Sequence, residues 1–330
     1  MPQLHFGEQT LTANEGESVL DCMLRSGVQV SSSCRAGACQ SCLMQATSGE
    51  IPESGQRGLK DTQRARGFFL SCITRPTTDL TLSLADVQGE QLSAEVVEQK
   101  FLSASVLRLR LAPERPFSYR AGQFVNLVRE DGLTRSYSLA SVPEEDSFLE
   151  LHVRMVAGGQ MTSWLRTVAP GQRVQLRGPS GECFYVAGRP EQPMLLVGAG
   201  TGLAPLYGIA RDAIRSGHTG PVTLLHGARE PSGLYLVEEL QELGRRRANL
   251  TYSPCVLQDS EAGEGGSRPW EVAPLGALLA SRFAKLGGWR VFLCGDAELV
   301  TAMRRQVFLS GASRRDIAAD AFLMAPRPAA

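Results

Sequence analysis

The stretch SSSCRAGACQSC, residues 31–42, sets Cys34, Cys39 and Cys42 at C-x4-C-x2-C spacing, and a fourth cysteine, Cys72, follows in FFLSCIT. Four thiolates can hold two irons and two sulfides, and this spacing with a distant fourth cysteine is a [2Fe–2S] pattern. Gly37, between Ala36 and Ala38, lets backbone N–H groups approach sulfur and stabilise its negative charge. Cys72 ends an apolar stretch, so a strand end can bring it beneath the loop. Zinc is an alternative, although structural zinc favours two tight cysteine pairs and only one is present. Unliganded burial is the other alternative, and it is the expected state of Cys22, Cys183 and Cys255.

Segments around the loop read as a small folded unit. PQLHF, QTLTA and DLTLSL (79–84) have strand character, and GESVLDCMLRSG places Val19, Leu20, Met23 and Leu24 on one helical face with Gly27 after it. With the thiol loop, these segments make residues 1–88 resemble a plant-type ferredoxin domain of β-grasp-like fold. The resemblance implies Cys34, Cys39, Cys42 and Cys72 as the metal ligands. It departs at Gln40, where that family often has a smaller residue.

The polar stretch 84–96 reads as a linker. Beyond it VLRLRLAP, GQFVNLV, RSYSLAS, FLELHVRMV and RVQLRGPSG alternate between turn signals, as in a small antiparallel β-barrel. An arginine in RSYS (135–138) can pair with a pyrophosphate, and a tyrosine two residues on shares its strand face. The order AGQFVNL, RSYS, HVRMVAGGQMTSWL resembles the flavin domain of the ferredoxin–NADP reductase superfamily. That resemblance implies an FAD domain over 93–189. By that resemblance Arg135 meets the flavin phosphates, Tyr137 and Ser138 lie at the ring, Ser136 adds a cofactor-binding donor, and His152, Val153 and Arg154 run along the cofactor. The turn Gly159, Gln160, Met161, Thr162 opens a helix able to hold pyrophosphate, with the side chains of Met161, Trp164 and Leu165 in the core.

PMLLVGAGTGLAPLYGIARDAIRSG reads as strand, glycine-rich turn and helix. The turn is Gly198-x-Gly200-x-Gly202-x-x-Pro205, with Leu203 where a G-x-G-x-x-G fingerprint has its third glycine, so the standard fingerprint is absent. A glycine turn opening a helix is still an anion site. PVTLLHGAR, LYLVEELQELGRRR, LTYSPCVLQ, WRVFLCGDAELVTAMRRQVFLSG and AADAFLMA continue the strand–helix alternation of a parallel sheet. VGAGTGLAP and FLCGDAELV resemble the two best-marked motifs of the pyridine-nucleotide domain of the same superfamily, here 190–330. The resemblance implies Cys294 beside the nicotinamide, with Tyr137 and Thr201 as further catalytic residues. It also implies Gly198, Gly200, Thr201, Gly202, Pro205, Gly295, Asp296 and Phe322 as cofactor contacts. Many relatives have proline where Asp296 stands. Arg229 and Glu230 follow the second strand, where an acidic side chain suits a free ribose hydroxyl and an arginine a 2′-phosphate. Relatives with G-A-R here more often use NADH, so NADH is expected over NADPH. GRRR (244–247) reads as a solvated helix end, with a docking patch for an acidic partner as the alternative, and 259–270 as a mobile surface loop.

The expected fold is therefore multidomain α+β and α/β: a β-grasp-like ferredoxin domain, an antiparallel β-barrel flavin domain and a parallel-sheet α/β nucleotide domain. A formal net charge of zero argues against nucleic acid or an anionic membrane as partner. No apolar run is long enough to span a bilayer, and the N-terminus lacks the pattern of a signal peptide, so the cytoplasm is expected. The four histidines show no metal-ligand spacing. The whole chain resembles the NADH-dependent reductase component of bacterial multicomponent oxygenases, especially aromatic-ring dioxygenases. The implied route runs from NADH through FAD to the [2Fe–2S] cluster, and on to a terminal oxygenase component or an intermediate ferredoxin. A different acceptor, such as a nucleotide-sugar deoxygenation enzyme, is the second reading, and a non-enzymatic zinc module the third.

Overall fold

The computed structural model describes residues 1–28, 42–84, 90–259 and 268–322, together with Val30, Arg35 and Gly37. The chain divides into two compact units, residues 1–88 and 89–330.

The first unit is built from β1 (Gln3–Phe6), β2 (Gln9–Thr12), α1 (Val19–Arg25), β3 (Leu43–Ser48), α2 (Asp61–Ala65), β4 (Phe68–Leu70) and β5 (Leu80–Leu84). Its sheet runs β2-β1-β5-β3-β4, with β1 and β5 parallel and the other neighbours antiparallel. Ser18 caps α1 by accepting from the Asp21 N–H, and Val19, Leu20, Cys22 and Met23 are buried against the sheet. Gly27, at φ +82, follows the helix in the left-handed conformation that ends it.

The second unit holds two lobes. The first contains β6 (Glu90–Ser103), β7 (Val106–Pro113), β8 (Phe124–Val128), β9 (Thr134–Ser138), β10 (Leu149–Arg154), α3 (Gln160–Leu165) and β11 (Arg173–Ser180). The strand order is β10-β7-β6-β11-β8-β9, all antiparallel, and a bridge between Leu139 and Leu151 joins the two ends into a barrel. Alternate residues such as Leu107, Leu109, Leu111, Val125 and Leu127 fill its interior.

Here the linker expected at 84–96 is corrected. Residues 90–103 form the longest strand of the protein's described part, paired to both β7 and β11. Leu92, Ala94 and Val96 are buried at alternate positions. Gln, Ser and Glu on the outward face dilute that two-residue rhythm in the sequence. Residues 85–89 lie outside the described residues.

The second lobe contains β12 (Met194–Ala199), α4 (Leu203–Arg215), β13 (Val222–Ala228), α5 (Val237–Arg246), β14 (Leu250–Val256), β15 (Glu271–Val272), α6 (Leu275–Arg282), β16 (Arg290–Asp296), α7 (Ala297–Leu309) and β17 (Ile317–Phe322). Its parallel sheet is ordered β15-β14-β13-β12-β16-β17. Met194, Leu196, Leu224 and Phe292 face α4 and α5, while Leu195, Val197, Leu225 and Leu293 face α6 and α7. Helix α6 and strand β15 carry no strong pattern in the sequence. The GRRR segment is a solvated helix end, where Arg245 and Arg246 both pair with Glu242 at 2.6 Å. The described ends of the 259–270 loop are tied together, Trp270 Nε1 donating to Asp259 Oδ2 at 3.0 Å, and residues 260–267 lie outside the described residues.

Several polar ties join the lobes. Arg211 of α4 pairs with Asp146 and Glu145 at 2.8 Å, and Arg215 with Glu144 at 3.1 Å. Arg211 is only 18% exposed on its side chain, so solvent screens the Asp146 pair less than an open surface pair.

Candidate functional site

Cys42 immediately precedes β3, and Cys72 lies two residues beyond β4. These strands pair antiparallel with Leu43 opposite Leu70, so the two cysteines leave the sheet side by side. Their sulfurs stand 3.2 Å apart, buried and with no disulfide between them. Ser71 locks this turn, its N–H and its hydroxyl both donating to the Cys42 carbonyl at 3.1 and 2.9 Å. The carbonyls of Ser71 and Thr74 accept from the Leu20 and Val19 N–H groups at the start of α1. Gly37, at φ +73, packs so closely on Ile73 that a Cβ would lie 2.6 Å from its Cδ1. Gly37 is thereby seated over Cys72's neighbour. Cys34 and Cys39, with Ala36, Ala38 and Gln40, lie outside the described residues. Two converging, buried thiols, with Gly37 packed against the residue that follows Cys72, fit a four-thiolate cluster.

In the barrel, Arg135 is exposed and makes no ion pair among the described residues, its Nη1 donating to the Thr134 carbonyl at 2.7 Å. Ser136 donates to Asn126 Oδ1 at 2.6 Å on the facing strand. Tyr137 is half-buried with its hydroxyl unbonded among the described residues, and burial pushes that hydroxyl up to about 12. Ser138 is buried and donates to Asp320 Oδ2 at 2.9 Å. A guanidinium with no ion pair among the described residues, two positions from a half-covered phenol, fits a flavin phosphate and ring. Arg154 is exposed, but Val153 is wholly inside the barrel core and His152 is 4% exposed. Gly159 precedes α3, and the Thr162 hydroxyl turns back to the Val156 and Gly159 carbonyls at 2.9 and 3.0 Å. Met161 and Leu165 are buried, as expected.

The nucleotide sheet reverses its strand order between β12 and β16, and ligands of open α/β sheets lie beyond the carboxyl ends of the strands at such a point. That crevice is bordered by Gly198, Gly200, Thr201 and Gly202 on one side and Cys294, Gly295 and Asp296 on the other. A Cβ on Gly202 would run into the Cys294 carbonyl, and Gly200 needs φ +54. Pro205 lies within the first turn of α4, which has no side-chain cap and no acidic residue, so its leading N–H groups suit an anion. Asp296 is committed to capping α7, accepting from Glu298 and Leu299 N–H groups at 3.0 and 3.4 Å. Cys294 is buried with its sulfur 3.6 Å from that of Cys183, and burial pushes the thiol far up. Phe322 ends β17 opposite Asp296.

Beyond β13, Arg229 is exposed and Glu230 half-buried. Gln258 clamps the pair, its N–H donating to the Arg229 carbonyl at 3.1 Å and its Nε2 to Glu230 Oε1 at 2.8 Å. The sequence reading missed Gln258, Asn126, Asp320, Tyr235 and the Cys183 partner of Cys294. Asp320 left one signal, an acidic residue in an apolar terminal strand. Burial pushes its carboxyl up, and the Ser138 bond offsets only part of that.

Residues 5–77 match the family model for the 2Fe-2S iron-sulfur cluster binding domain, 93–185 that for the oxidoreductase FAD-binding domain, and 196–305 that for the oxidoreductase NAD-binding domain. The chain is 34% identical over 314 residues to the reductase subunit of an Amycolatopsis aromatic O-demethylase, covering 90% of this chain and 91% of that one.

The chain belongs to the ferredoxin-type reductase family with an N-terminal [2Fe–2S] domain.

The reductase is also 30% identical to the ferredoxin–NAD(P)+ reductase component of the Pseudomonas putida naphthalene 1,2-dioxygenase system, covering 93% and 94% of the two chains. Among solved structures, that of an Amycolatopsis cytochrome P450 reductase superposes with a TM-score of 0.66 at 31% identity, covering 98% and 99%. The domain matches favour the cluster over zinc for the thiol loop. Among the described residues of the reductase, no helix is long and apolar enough to cross a membrane.

Proposed function

We propose that this reductase accepts a hydride from NADH in the crevice beyond β12 and β16 and delivers single electrons from its thiol loop to a partner protein, an oxygenase component or an intermediate ferredoxin. One observation carries the first half: Ser138, from the R-x-Y-S strand, bonds to Asp320, which stands opposite Cys294 in the sheet. The R-x-Y-S strand and the Cys294 strand are thus linked through Asp320, which supports this reading.

FAD supplies the exchange between a two-electron hydride and single electrons, and the [2Fe–2S] cluster supplies a one-electron relay. Cys34, Cys39, Cys42 and Cys72 would hold the cluster. Arg135 would bind the flavin phosphates, and Tyr137 would cover the ring. Thr201, the Gly200 turn and the N-terminus of α4 would hold the dinucleotide pyrophosphate. Cys294 would seal the nicotinamide pocket from water. Glu230 would accept from the ribose hydroxyls and disfavour a 2′-phosphate, giving NADH over NADPH. The relatives' names, a demethylase and a dioxygenase system, support an oxygenase as the acceptor. The absence of a disulfide at Cys22, Cys183, Cys255 and Cys294 suits a reducing cytoplasm.

Cys72→Ser tests the division of labour. The variant should still bleach its flavin with NADH but should lose reduction of cytochrome c, a one-electron protein acceptor. Retained cytochrome c reduction would contradict the route through the thiol loop.

A further inference from the structure

Buried polar side chains without a part in that reaction gather where the barrel meets the nucleotide lobe. Tyr235, just ahead of α5, stands edge-on to His152 of β10 at 5.3 Å and 87°, and edge-on to His226 of β13 at 5.5 Å and 84°. His152 is 4% exposed, Tyr235 2% and His226 0%.

A single hydrogen-bonded chain crosses this contact. His152 Nε2 lies 2.9 Å from Glu150 Oε1, and Arg110 Nε donates to Glu150 Oε2 at 2.7 Å. Burial pushes the Glu150 carboxyl up, but these partners outweigh it and hold it at about 2. An ionised Glu150 requires the proton on His152 Nε2, which leaves Nδ1 to accept from the Tyr235 hydroxyl at 3.2 Å. Arg110 and Arg108 in turn pair with Glu98 across β6 and β7. Tyr235 is thus anchored to the barrel wall.

The backbone agrees. Leu236, the next residue, is left-handed at φ +53, a conformation that is unfavourable for a non-glycine residue. Such a conformation persists where its surroundings over-determine it. Here Leu236 is buried in one core cluster with Tyr235 and Leu240. Moreover, His152 follows Leu151, which bridges to Leu139, the neighbour of Ser138. The strand that receives Tyr235 therefore adjoins the R-x-Y-S strand.

We propose that Tyr235 is a positioning residue for hydride transfer: its hydroxyl, bonded to His152, fixes the nucleotide lobe against β10 and so sets how the nicotinamide approaches the flavin. The inference rests on the crevice being the NADH site. It gives His152 a role in aligning the lobes and none in touching the cofactor. A small misalignment of reacting atoms is costly in rate even where binding is unchanged.

The test is anaerobic stopped-flow mixing of the fully loaded chain with NADH. Tyr235→Phe keeps the ring and removes the bond. Its limiting rate of flavin bleaching should fall about three- to tenfold, the scale of one hydrogen bond, with the NADH dissociation constant within about twofold. The long-wavelength charge-transfer absorbance of the NADH complex should weaken in parallel. His152→Ala should behave likewise, and His152→Asn, which places an amide near the Nδ1 position, should recover the rate. Tyr252→Phe, which removes a similar bond to His226 inside the nucleotide lobe, should leave the limiting rate unchanged. An unchanged rate and band in Tyr235→Phe would overturn the inference. If that variant does not fold, equal rates in His152→Ala and His152→Asn would overturn it. A wild-type flavin that stays oxidised with NADH would overturn the crevice reading and this inference together.

Discussion

Ser138 Oγ donates to Asp320 Oδ2 across 2.9 Å and 182 positions of sequence, joining β9 of the barrel to β17 of the nucleotide sheet. Asp320→Ala leaves the buried Ser138 hydroxyl without its acceptor. NADH-driven flavin bleaching should slow about tenfold, the scale of a hydrogen bond to a charged group, with FAD content retained. Asp320→Asn can still accept from Ser138 and should lose much less. Stopped-flow absorbance compares the two, and equal rates in wild type and Asp320→Ala would remove the contact from the reaction.

Arg135 is exposed and free of ion pairs among the described residues, so folding does not depend on it. Arg135→Ala should leave the thermal midpoint of the flavin-free protein unchanged. Its FAD dissociation constant should rise about ten- to a hundredfold, the scale of lost charge-assisted hydrogen bonds. Flavin content after gel filtration reports this directly.

The Gln258 amide holds one oxygen of Glu230, leaving the other oxygen for a ligand. Glu230→Ala should lower the NADH/NADPH ratio of kcat/KM by about tenfold, the scale of one hydrogen bond to a charged acceptor. An unchanged ratio would move the selector elsewhere, with Arg229 the neighbouring cation.

Burial lowers His226 from 6.5 to about 4. A histidine held neutral in the fold takes up protons on unfolding, so its contribution is complete above pH 6.5 and is lost as pH falls toward 4. Glu150, held at about 2, acts in the same direction lower down, its contribution being lost between pH 4.5 and 2. Between pH 7 and 5 the wild type should lose about 2 kcal/mol that His226→Gln does not lose. Urea midpoints followed by circular dichroism at the two pH values measure the difference.

Local chemistry made much of this protein legible from its sequence. Thiol spacing marked Cys42 and Cys72, two-residue alternation marked β7 and β10, and the glycine turn ahead of α4 was visible because a backbone at φ +54 and a close approach to Cys294 both exclude side chains. Partnerships across distance left little trace. Asp320 needs Ser138, Tyr235 needs His152, and Glu230 needs Gln258 28 residues away, and each pair exists only once strands from separate segments are brought together. His152 read as a cofactor contact because its strand runs in the expected order, while the pleat that turns its ring toward Tyr235 depends on barrel closure at Leu139 and Leu151. Strand β6 was hidden for a different reason, its buried Leu92, Ala94 and Val96 being small or sparse among polar neighbours.

The most direct test of the electron route is an anaerobic NADH titration of the purified protein, read by visible absorbance and low-temperature EPR. The expected result is bleaching of the flavin band together with a rhombic signal from a reduced [2Fe–2S] cluster. Flavin bleaching with no such signal would contradict it, and would mean that Cys34, Cys39, Cys42 and Cys72 hold something other than a redox centre.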